Sequence, residues 1–80
     1  MESGELRGLL AKNIRLAARR KGVALTALAD FAGVSRSQMF TVLNESSSAS
    51  VDWLAKIANA LDVEAWQLLA PRLGTKRDGR

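Results

Sequence analysis

The chain has 80 residues, 12 Lys or Arg against 8 Asp or Glu, a formal net charge of +4 and neither Cys nor His, with a pI near 10.4. A domain of this size buries only about 60% of its unfolded surface, which excludes a deep catalytic cavity, and its composition excludes disulfides, thiolate or imidazole metal sites and a histidine base. No apolar run approaches the ~20 residues that span a bilayer, and the start of the chain carries Glu2 and Glu5 where a secretory leader would be basic. A cytoplasmic protein whose positive charge attracts polyanions is expected.

The apolar periodicity is helical throughout, without a strand-like alternation. Leu6, Leu10, Ile14 and Ala17 recur at three- and four-residue steps, which predicts a helix from about residue 5 to 21, closed by Gly22 as a left-handed cap. Arg19, Arg20 and Lys21 complement the negative end of its dipole. A second helix, about 25 to 32, is expected to bury Leu25, Leu28, Ala29 and Ala32. Gly33 then turns with positive φ, Val34 plugs the elbow, and Ser35 caps a third helix ending near 43 or 44. At about 100° per residue, Met39, Val42 and Leu43 point inward; Ser37, Phe40, Thr41 and Asn44 point outward, with Arg36 reaching round from the first turn. Two short helices about a glycine-containing turn form a helix-turn-helix, whose second helix lies in the DNA major groove.

The outward face of that third helix is unlike a surface built for solubility, which would carry Glu and Lys in i, i+4 pairs. Arg36, Ser37, Gln38, Thr41 and Asn44 can hydrogen-bond base edges or phosphates, and Phe40 suits a thymine methyl or a sugar. No acid lies between Asp30 and Glu45. After the serine-rich loop, residues 45 to 50, Ser50 is expected to cap a fourth helix over about 51 to 61, with Asp52 in its first turn and Val51, Leu54, Ile57, Ala58 and Leu61 buried. Its free N–H groups, with loop residues Ser46 and Ser47, offer a phosphate site. A last helix, about 64 to 69, buries Val63, Ala65 and Leu68 and stops before Pro71. Trp53 is expected to pack at the rim near the DNA backbone. Trp66 falls one step out of phase, at an interface or in the core. Leu16 is expected to be exposed or in a contact. The domain is placed at residues 1 to 73, with a disordered basic tail at 74 to 80. Asp30, Glu45, Asp52 and Asp62 do not converge by spacing, so no catalytic site is expected.

The run Leu28-Ala29, Ala32-Gly33-Val34-Ser35, Ser50, Leu54 to Val63 and Leu68 resembles the lambda-repressor-like (Cro/cI, Xre-type) helix-turn-helix family over roughly residues 10 to 69. That resemblance implies an all-α domain of five helices with the third as recognition helix. It places Arg36, Ser37 and Thr41 at base-reading positions, Gln38 and Phe40 beside them, and Asn44 and the N-termini of the second and fourth helices at phosphates. A sequence-specific regulator of double-stranded DNA is expected, a repressor acting as a homodimer without cofactor or small-molecule substrate. Trp66, Leu69 and Leu73 form the expected dimer or partner surface. The departures are specific. Ala24 and Leu25 stand where the family has a polar cap and Gln, leaving Thr26 to contact phosphate there. Apolar Ala18 and Leu43 replace an Arg–Glu bridge, an exchange that strands no buried charge. Glu45 replaces the usual glycine, so Asn44 or a serine is expected to take the left-handed cap. These departures keep open a protein-binding module of the same fold, an antitoxin-like or anti-repressor partner.

Overall fold

The computed structural model describes residues 3–71. Leu73 and the tail at 74 to 80 lie outside the described residues. The chain runs through α1 (Ser3–Lys21), α2 (Leu25–Ala32), α3 (Arg36–Leu43), α4 (Val51–Leu61) and a 3-10 helix (Ala65–Leu69), with no strand among the described residues. α1 packs against α2, α3, α4 and the 3-10 helix, while α2 lies on α4. One apolar cluster joins all five elements, with Ile14, Leu28, Met39, Ile57 and Leu68 fully buried. Ala18 and Leu43 both lie in this cluster, so the apolar substitution of the family's ion pair extends the core.

Each of α1 to α4 ends in the same motif. The residue after each last turn is left-handed (Gly22, Gly33, Glu45 and Asp62). In each case its N–H and that of the following residue return to carbonyls of the final turn, for example Glu45 N to Val42 O at 3.0 Å and Ser46 N to Thr41 O at 3.0 Å. This is the Schellman arrangement. At the end of α3 it corrects the expectation that Asn44 or a serine takes the left-handed role: Asn44 has φ −86° and Glu45 has φ 62°. The paired bonds to Thr41 and Val42 fix which position must turn, whatever residue occupies it. A non-glycine residue there costs about 1–2 kcal/mol. Glu45→Gly is therefore expected to stabilise the domain by about 1 kcal/mol, read as a rise in Tm of about 4–8 °C in a thermal melt.

The last element also departs from expectation. Instead of a fifth α-helix over 64 to 69, the chain forms a 3-10 helix of five residues. Glu64 and Gln67 make a capping box three residues apart, and the bonds that close the turn are of the shorter kind, Gln67 N to Glu64 O at 3.0 Å and Ala70 N to Gln67 O at 3.3 Å. Ala70, held extended before Pro71 at ψ 145°, cannot continue a helix. The carbonyls freed at this end go to α1: Asn13 Nδ2 donates to Leu68 O and Ala70 O, each at 2.9 Å. Asn13 is itself buried and so clasps the end of the domain to its first helix.

Three apolar expectations are corrected. Trp53 belongs to the core at 4% exposure, whereas Val51, expected inside, is 83% exposed. Trp53 lies at one edge of the inward arc of α4, and Val51, about 120° round from Ile57, falls beyond the other. Leu16, expected to be exposed or in a contact, is the third: it is half-buried and packed against the cluster.

Candidate nucleic-acid interface

The helix-turn-helix is built from local bonds that the sequence spells out. Gly33 closes α2 at φ 74°, ψ 33°, Val34 N returns to Ala29 O at 3.0 Å, and Ser35 Oγ accepts from Gln38 N at 2.9 Å to start α3. Met39, Val42 and Leu43 are buried, which turns the opposite side of α3 to solvent. On a helical projection Arg36, Phe40, Asn44, Ser37 and Thr41 fall within an arc of about 140°. The first four of these are exposed and Thr41 is half-buried. Thr41 Oγ1 donates to Ser37 O at 2.8 Å, which favours one rotamer and leaves the oxygen able to accept.

Gln38 is exposed but set apart from that arc. With Gly33, Val34 and Ser35 it lines a groove whose other wall is Ser50, Asp52, Trp53 and Lys56 of the α4 start. Ser50 Oγ caps that start by accepting from Trp53 N at 3.0 Å, as the sequence suggested. The indole Nε1 of Trp53 finds no acceptor among the described residues. The serine loop is tied down: Arg7 Nε donates to Ser48 Oγ at 3.2 Å, and it presents Ser46 exposed and Ser47 half-buried. At the other end of the motif, α2 begins at Ala24 with no side-chain cap. Thr26, in its first turn, is exposed.

One strong feature of the interface was not foreseen. Arg36 and Asp30 form a two-pronged ion pair across the elbow, Nη2 to Oδ2 at 2.6 Å and Nε to Oδ1 at 3.2 Å. The hydrogen bonds from Arg36 hold the Asp30 carboxyl below the usual carboxylate range, and the carboxylate in turn raises Arg36. Both side chains are more than half exposed, 61% and 56%, so the pair favours one conformation of Arg36 and adds little to stability. Its sequence signal is an acid six residues ahead of an arginine with the turn glycine between them.

Away from α3, Trp66 is 67% exposed, which removes the core alternative for it, and Leu69 is half-buried beside it. Phe31, on α2, is also strongly exposed and was not singled out from the sequence. No helix among the described residues is long and apolar enough to cross a membrane.

A capped two-helix elbow that presents an acid-free helix face defines a helix-turn-helix domain. No family model matches the chain. SinR of Bacillus subtilis (strain 168), named as an HTH-type transcriptional regulator, is 30% identical over 73 residues, which are 90% of this chain and 66% of SinR. The chain thus spans just under two thirds of that relative. The crystal structure of NHTF, a hypothetical transcription factor from Neisseria, matches with a TM-score of 0.80 at 34% identity, covering 89% of this chain and 82% of that one. The chain belongs to the Xre-type helix-turn-helix family.

Proposed function

We propose that this chain is a cytoplasmic, sequence-specific DNA-binding transcriptional regulator, a repressor that lays α3 in the major groove as a homodimer. The observation that carries this reading is the outward arc of α3, with Arg36, Ser37, Phe40, Thr41 and Asn44 on one side and the buried Met39, Val42 and Leu43 on the other. In this reading Arg36, Ser37 and Thr41 meet base edges, and Gln38 reads from the flank facing α4. Thr26, Ser35, Asn44, Ser46 and Ser47 meet the backbone together with the uncapped start of α2, and Phe40 packs on a methyl or sugar. Ser35 Oγ already accepts from Gln38 N, so its contact with a phosphate is through its own hydroxyl proton.

A single module of this size covers about 600–1,000 Å² on DNA, and readers of this kind double that by spanning two half-sites about 34–36 Å apart. The exposed Trp66 with its neighbour Leu69 is the surface we assign to the dimer. The same residues favour a second reading, a protein-binding module.

Selection from a random duplex library, followed by titration across salt, separates the two. DNA reading requires a preferred sequence and a steep salt slope; neither is expected of a protein-binding module. Arg36→Ala is expected to cost about 1–3 kcal/mol on the selected site and to relax preference at one base pair. Unchanged affinity and unchanged preference would remove Arg36 from the base-reading set.

A further inference from the structure

We propose that Asp30 is a specificity-determining residue, which holds Arg36 edge-on across the elbow and so keeps it from sequence-blind phosphate contacts while presenting it to a base. This inference rests on the DNA-reading role given above to α3. Arg36 is the first residue of α3 and Asp30 lies in the last turn of α2, so the pair spans the Gly33 turn and ties the rotamer of a groove-facing side chain to the helix behind it.

The atoms involved decide what remains available. A guanidinium has five N–H donors in a fixed fork, and Asp30 takes the side edge, Nε and one proton of Nη2. The free donors, on Nη1 and Nη2, form the end edge. That edge makes the paired contact to guanine O6 and N7. A phosphate also favours a forked guanidinium contact; Asp30 denies it the side edge, restrains the side chain from swinging to the backbone, and opposes it at the end edge only by the repulsion of a neighbouring carboxylate. Asp30 thus competes with phosphates and leaves the end edge unobstructed. α3 itself carries no acid; the partner of Arg36 comes from α2.

The consequence is an asymmetry between random and preferred DNA. Without the carboxylate, Arg36 is free to swing to the backbone. Random-sequence affinity rises, its salt slope steepens by about 0.9, the share of one added phosphate, and the ratio of preferred to random affinity falls by about 3- to 10-fold.

The test measures both affinities across salt for the full chain carrying Asp30→Asn or Asp30→Ala, each in the Arg36 and the Arg36→Ala background. Asp30 is exposed, so circular dichroism is expected to show an unaltered fold. Support is a fall in the ratio and a steeper random-DNA slope in the Arg36 background, both reduced or absent with Arg36→Ala. Equal effects in the two backgrounds would reduce Asp30 to a general repulsive charge and overturn the proposal, as would an unchanged ratio. If the unaltered chain selects no sequence at all, the DNA-reading role itself fails; if it selects one and the Asp30 variants keep the same ratio, only the role of Asp30 fails.

Discussion

Met39→Ala is expected to cost the domain about 2–5 kcal/mol, the range for emptying a fully buried large side chain. Against a total of about 5–15 kcal/mol for a folded domain, that loss is a large fraction, readable as a lowered denaturant midpoint at an unchanged slope. Met39 has no exposed surface and is the middle anchor of α3, with Val42 and Leu43 the other two. The substitution therefore separates two kinds of damage. Arg36→Ala is expected to weaken DNA binding in a domain of normal stability, whereas Met39→Ala is expected to lower stability first and binding through it. A stability within about 0.5 kcal/mol of the original would mean that α3 does not depend on its anchor.

Asn13→Ala carries the second large expectation, about 2–5 kcal/mol, for a different reason. Truncation leaves the Leu68 and Ala70 carbonyls without their donor, and an unsatisfied buried polar group costs about 1–3 kcal/mol. A small cavity in α1 adds to it. Because the clasp joins α1 to the end of the 3-10 helix, the loss is expected first as early hydrogen exchange at residues 64–70 and then as a lower global midpoint. A global loss below about 0.5 kcal/mol with unchanged protection at those amides would show that the 3-10 helix holds without Asn13.

What the sequence made legible is what depends on near neighbours. The boundaries of α2, α3 and α4 follow from Gly33, Ser35 and Ser50, whose turn and cap bonds reach no further than five residues. The outward face of α3 was legible for the same reason, since Met39, Val42 and Leu43 set its rotation through a fixed period. The features that escaped are set at longer range or by competition. Asn13 bonds 55 to 57 residues along the chain to the carbonyls at the end of the 3-10 helix, a partner that no local pattern names. Trp53 and Val51 lie at opposite edges of the inward side of α4, and a period alone does not say which edge the core reaches. Glu45 is left-handed because the backbone bonds at the end of α3 require it there, against the preference of its side chain. The pairing of Asp30 with Arg36 spans a turn whose geometry had to be known before two exposed charges could be joined.

Trp53 and Trp66 give the domain two optical probes in contrasting settings. The shielded indole, whose Nε1 meets no acceptor among the described residues, senses the integrity of the interior. The solvent-facing one senses whatever settles over the end of the domain. Intrinsic emission can thus distinguish melting from association in an unlabelled sample, because collisional quenchers reach one ring and not the other.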